Sequence, residues 1–390
     1  MILQRATASP AVNHLRIGTE RVRLYGVGLF LIGMSQMRFV RSVGHFWDWL
    51  DFYIAGAMVG TRALLDPVAH AAWGAAHHLP VTAFVYMPGF AWLLLPAAQV
   101  SLAWGFALNA VVMLASCGLA AAVAARAYRL RWQFCLLTIL AWAPTTAAIV
   151  TAQNSPVGAL LSLAAVLGFV RDQPLLIGVS VGALMYKPTY ALPFVLLLLA
   201  FRRWKAFGVV CACGVVWYLL SVSASGGDWF WPLPYLRSLT GYVGPDFMGN
   251  RFKAISLPGV LMLVGTPHAI AFVAGLALLI VGVIRMPRVS PLEAASMAGL
   301  VGLAASPHAW PYDGAVALPA IFWVISTVAE PRRTRIIVGS FAIAPLWLAS
   351  NVIHVDLLAF AIIGGAIAWL AGQLISVRVG GDLAPARSGD

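Results

Sequence analysis

Long apolar stretches, separated by proline, glycine and short polar clusters, recur along the whole chain. They fall at about 24–40, 100–125, 133–151, 155–170, 174–187, 189–201, 207–225, 255–283, 292–305, 314–329, 335–352 and 356–376. A helix crosses the hydrocarbon layer in about 20 apolar residues, so the pattern predicts an all-α polytopic integral membrane protein with about twelve crossings. The run at 83–98 carries Pro88 and Pro96 and is expected to be a half-inserted segment. The short runs meeting at Gln153-Asn154 and at Lys187-Pro188 read as helices joining near one membrane face, or as broken helices around a cavity. Irregular backbone at that depth must be shielded from lipid. The expected organisation is a cytoplasmic segment 1–23, a single transmembrane domain 24–376 and a cytoplasmic tail 377–390.

Composition excludes a water-soluble globule: 61% of the 390 residues are hydrophobic and 10% are charged, against roughly a quarter charged in soluble domains. The net charge of +12 does not point to nucleic acid, because the basic residues sit in short clusters between apolar runs. They set orientation instead. With the N-terminus inside and each run crossing once, 18 of the 25 Lys and Arg residues fall on the inner side, including the clusters at 126–131, 202–205, 285–288 and 332–335. A full crossing at 83–98 would invert every later cluster, hence its half-inserted reading. The cysteines Cys117, Cys135, Cys211 and Cys213 lie inside apolar runs and are expected to pack, without disulfides or metal.

That orientation gathers the polar residues into outer loops at 41–82, 226–254 and 306–313, facing the periplasm or exterior and out of reach of cytoplasmic nucleotides. Asp48 and Asp51, three apart among aromatics, share a helix face. A carboxylate in such a place serves as general base or solvates an interfacial aromatic belt. Lys187 precedes Pro188 at the end of an apolar run. An ammonium there snorkels, pairs with an acid or meets an anion. Arg251 and Lys253 close the loop 226–254, where phosphate binding and plain headgroup contact are both open. His308, in Ser306-Pro307-His308-Ala309-Trp310-Pro311-Tyr312-Asp313, is a hydrogen-bonded turn residue or a phosphate donor. Gln153-Asn154 suits a hydroxylated ligand or caps helix ends. No nucleotide-binding glycine loop, zinc-protease motif, serine-hydrolase elbow or paired Cys-x-x-Cys occurs.

In order along the chain, the segments Asp51-Phe52-Tyr53-Ile54-Ala55-Gly56-Ala57, Tyr86-Met87-Pro88 with Pro96, Gln153-Asn154, Lys187-Pro188 with Pro193, and Ser306-Pro307-His308-Ala309-Trp310 resemble glycosyltransferase family 87. This family belongs to the GT-C type of polyprenyl-phosphate-sugar-dependent enzymes and includes bacterial α-mannosyltransferases. The chain departs from it in reading Tyr86-Met87-Pro88 for Tyr-Pro-Pro, Ala152-Gln153 for Gly-Gln, and Pro311-Tyr312-Asp313 for a histidine-containing tail.

The resemblance implies a GT-C-like fold and inverting transfer of a hexose, mannose above others, from a polyprenyl monophosphate to an acceptor hydroxyl on a glycolipid or glycan. The reaction would take place at the outer face of the cytoplasmic membrane. It implies Asp51 as catalytic base; the candidate donor-phosphate ligands are Lys187 and His308 first, because they also fit the matching segments, and then Arg251 and Lys253. Asp48, Tyr53, Tyr86, Gln153, Asn154, Trp310 and Asp313 are the expected substrate-binding residues. No metal or other cofactor is expected, because no pyrophosphate has to be neutralised, and no nucleic acid is a partner. The rival reading is a transporter or lipid flippase, which also builds polar sites on broken helices. Such proteins usually carry internal repeats, and no convincing self-similarity links the halves here.

Overall fold

A computed structural model describes residues 47–77, 84–239, 253–327 and 357–381. The N-terminal segment 1–23, the runs at 24–40 and 335–352, and Arg251 lie outside these residues. The described chain is helical, with no strand among its elements. In order come α1 (Trp47–Met58), α2 (Pro67–Ala76), α3 (Ala91–Ala98), α4 (Leu102–Tyr128), α5 (Trp132–Ala141), α6 (Ala143–Val150), α7 (Ser155–Arg171) and α8 (Pro174–Ala183). They are followed by α9 (Pro188–Ala200), α10 (Trp204–Ala224), α11 (Leu257–Leu263), α12 (His268–Arg285), α13 (Pro291–Ala305), α14 (Leu318–Thr327) and α15 (Leu357–Gly381).

Three of these, α4, α10 and α12 with its short extension to Arg288, are each long and apolar enough to span a bilayer. The pair α5 and α6 adds a fourth span only if it counts as one, because it bends by 67°. Most other runs are apolar helices of 10–17 residues, shorter than the roughly 20 residues of a straight crossing. Proline sets many boundaries: α2, α8, α9 and α13 begin on one, where its missing N–H costs nothing and its fixed φ suits the first turn. Left-handed residues end others, at Arg129 (φ 56°), Asp172 (φ 51°) and Arg202 (φ 53°).

The run at 255–283, read from hydropathy as a single stretch, is divided into α11 and α12 by Gly265 and Pro267. Gly265 adopts φ +87°, a conformation glycine takes without penalty, and Pro267 immediately precedes the next helix. The segment around 83–98 contains a 3-10 turn at Pro88–Phe90 followed by α3. Pro88 to Ala98 rises roughly 16 Å, about half the hydrocarbon thickness.

α13 is the centre of the fold. Every residue from Ala294 to Ala305 is buried, and the helix packs against α7, α9, α12, α14 and α15. A helix apolar on all sides belongs inside other helices, and its alanines and glycines let them come close. Its first turn holds Glu293, whose carboxylate accepts from Trp369 Nε1 (2.8 Å) and Gln373 Nε2 (3.1 Å) on α15.

Two polar layers lie at opposite ends of α7, roughly 26 Å apart at the ordinary helical rise. At its C-terminal end Asp172 accepts from Arg203 at the start of α10. Its N-terminal end, at Gln153 and Asn154, belongs to the cluster described below.

The loop after α1 packs onto the rest of the fold through Leu64, in the main core, and Leu65, beside Val222, Trp231 and Tyr235. His70 on α2 is 2% exposed; its Nε2 donates to Leu64 O (2.9 Å), and its Nδ1 is buried without a partner among the described residues. Burial holds this imidazole below its ordinary value, outweighing the opposite pulls of the Leu64 carbonyl and Asp66. The neutral form therefore stabilises the fold at neutral pH. As the pH falls below about 6.5 the unfolded loop takes up a proton that the folded one resists, and stability is lost. Protease nicking within residues 59–77 should rise between about pH 7.5 and about pH 5.5 in the wild type and lose that dependence in His70→Gln.

Candidate active site

Lys187 owes its position to its neighbours in sequence. A residue before proline is driven to extended backbone. Lys187 accordingly sits at φ −129° and ψ 92°, between the 3-10 turn Leu184–Tyr186 and α9. This break turns the side chain into a cage of three rings, with Nζ 4.6 Å from the Tyr190 centroid and 5.6 Å from those of Tyr86 and Tyr312. Nζ also donates to Asp313 Oδ1 at 2.5 Å, and the side chains are 14% and 1% exposed.

Asp313 lies in the 3-10 segment Pro311–Ala317. Its Oδ2 accepts from Trp310 N (2.8 Å), its own N–H donates to Trp310 O (2.8 Å), and its Oδ1 accepts from Tyr190 as well as Lys187. The buried carboxylate thus has three donors, of which Lys187 is the most exposed and the most mobile by its stem. The segment is anchored from behind by Trp142 Nε1, which donates to Gly314 O at 2.9 Å.

The turn before α7 closes the third side. Ala152 takes φ 58°, a left-handed conformation that favours glycine. An alanine in that conformation accepts strain of about 1 kcal/mol. The turn is fixed by Asn109 Nδ2 donating to Ala152 O (3.1 Å) and by Tyr86 donating to Gln153 Oε1 (2.7 Å). Tyr186 donates to Asn154 O (3.2 Å), and Ser155 Oγ lies 3.0 Å from Tyr190 OH. Gly158, one turn into α7, makes the close approach possible: a Cβ there would stand 2.8 Å from Tyr190 Cε2.

His308 follows Ser306, whose Oγ accepts the His308 N–H (3.2 Å) and donates to its carbonyl (2.8 Å). Its ring meets Trp310 edge-on at 4.7 Å. Thr189, Tyr190, Ser306, His308 and Asp313 share a cavity of about 10 Å³, room for a single water. Lys253 is half-buried, two residues before Ile255, whose N–H donates to Ala309 O at 3.0 Å.

α1 reaches the cluster through Phe52, whose ring is 5.0 Å from Tyr86. Asp51, the residue before it, is half-buried. Asp48 is in the first turn of α1. Tyr53 uses its hydroxyl on Val100 O (2.8 Å) and sets its ring against Trp73. Among the expected site residues, the structure therefore brings Tyr86, Gln153, Asn154, Lys187, His308, Trp310 and Asp313 together. Sequence reasoning missed Tyr190, Tyr186 and Ser155. The one available signal was Tyr190 standing one helical turn after Lys187, a spacing that places both on one side. Among the described residues no three His, Cys, Asp or Glu side chains converge as metal ligands.

The family model of glycosyltransferase family 87 matches residues 84–307. The matched stretch includes Tyr86, Gln153, Asn154 and Lys187, with Asp51 before it and His308 and Asp313 just after it. Neither the curated proteins nor the solved structures contain a match to this chain.

Proposed function

Because this chain belongs to glycosyltransferase family 87, and is thus a membrane glycosyltransferase, we propose that it transfers a hexose, mannose first among them, from a polyprenyl monophosphate. The acceptor is a hydroxyl of a glycolipid or glycan at the outer face of the cytoplasmic membrane, and the scaffold is of GT-C type. The observation that carries this reading is the caged cation: Lys187, 14% exposed among three tyrosines, held by a single carboxylate that has two other donors. Such an ammonium can turn to an anion entering from the bilayer without leaving Asp313 bare.

Asp51 accepts the proton of the acceptor hydroxyl as its oxygen attacks the anomeric carbon. The bond from that carbon to the phosphate oxygen breaks, and the electron pair leaves with the lipid phosphate, inverting the centre. Positive groups fixed where charge develops lower such a barrier. Lys187 and His308 take this role, with Lys253 and Arg251 as further phosphate ligands. Tyr86, Gln153, Asn154 and Trp310, with Asp48, Tyr53 and Asp313, line or support the substrate site.

The test is transfer from radiolabelled polyprenyl-phosphate mannose by the purified protein in liposomes containing a glycolipid fraction. A new glycosidic product is expected. Movement of the labelled lipid across the bilayer with no product would instead identify a flippase.

A further inference from the structure

Asn154 is 4% exposed, and among the described residues neither Nδ2 nor Oδ1 of its side chain has a hydrogen-bond partner. It occupies the position before α7, where asparagine ordinarily caps a helix, yet it makes no cap bond. A buried amide with both ends unpaired is a cost to the fold, and each such group in a native structure asks for a reason. Its surroundings supply one. Gln153 is bonded to Tyr86 and Ser155 to Tyr190, two of the rings around Lys187, and the Asn154 carbonyl is bonded to Tyr186. The idle amide thus belongs to the shell of the caged ammonium.

The two ends of the amide require different partners: Nδ2 needs an acceptor and Oδ1 needs a donor. A phosphate dianion offers only acceptors and an ammonium only donors. A hydroxyl offers both, and adjacent hydroxyls of a pyranose present one to each end. We propose that Asn154 is a specificity-determining residue that binds adjacent hydroxyls of the transferred hexose while Lys187 holds its phosphate. This rests on the reading of the protein as a lipid-phosphate sugar transferase given above.

An asparagine whose side-chain amide is bonded to nothing among the described residues can be truncated without breaking a described bond of the fold. Asn154→Ala should therefore keep or raise the melting temperature while losing discrimination. The experiment compares kcat/KM for polyprenyl phosphates carrying mannose and each of its singly deoxygenated forms. The wild type should reject at least one deoxy donor by roughly a hundredfold or more, and Asn154→Ala should accept that donor about as well as mannose. Asn154→Asp, which keeps the shape but loses the donor end, should also weaken discrimination. A lowered melting temperature with discrimination unchanged in both variants would mark a structural asparagine and overturn the inference. Absence of transfer by the wild type from every donor would overturn the sugar-transferase reading and the inference with it.

Discussion

Asp51→Asn should slow sugar transfer by roughly 10²–10⁴-fold with little change in stability or in donor binding. The amide matches the carboxylate in size and stays on the same face of α1. That helix is also held by Trp49 Nε1 donating to Leu102 O (3.1 Å) and by Phe52 packing on Tyr86. What is lost is the ability to take a proton from the attacking hydroxyl. Single-turnover rates with saturating lipid-linked sugar, set beside melting temperatures, separate the two effects. A variant that turns over at the wild-type rate would remove Asp51 from the role of base.

The second large effect concerns stability. Asp313→Ala should cost about 3–5 kcal/mol, the usual result of removing one member of a buried ion pair. It leaves the Lys187 ammonium and the Trp310 N–H without their carboxylate, and takes from Tyr190 the acceptor of its hydroxyl. Lys187→Met should be milder for the fold, because Asp313 keeps two donors, but it should abolish donor-phosphate binding. Combining Lys187→Met with Asp313→Ala should recover part of the stability lost by Asp313→Ala alone, since no unpaired charge remains. Thermal unfolding in detergent of the three variants gives the order. If the double variant melts below Asp313→Ala, the pair does not act as a unit.

Hydropathy and proline largely placed the helices, because one solvent, the bilayer, imposes one requirement on every segment. The breaks around Lys187 and before α7 were legible for the same reason: Lys187-Pro188 and Gln153-Asn154 are polar interruptions that lipid would not tolerate unshielded. The division of 255–283 was harder to read, since Gly265 and Pro267 interrupt the helix without interrupting hydrophobicity. The kink between α5 and α6, at Trp142 and ahead of Pro144, was hidden in the same way. Least legible was partnership. Lys187 and Asp313 are 126 residues apart, and no local pattern says which acid a buried lysine meets. Tyr190 looked like one more aromatic in an apolar helix until that acid was in place.

The bend between α5 and α6 has a mechanical side. α6 packs against the Pro311–Ala317 segment, as does α7, and Trp142 at the bend is bonded to Gly314, next to Asp313. The turn carrying Gln153 and Asn154 and the turn carrying Asp313 are thus braced by the same two helices. Coupling between two such sites is reciprocal by thermodynamic necessity. On the proposed reading, any gain in phosphate binding from a sugar on the first turn is matched by an equal gain in sugar binding from the phosphate.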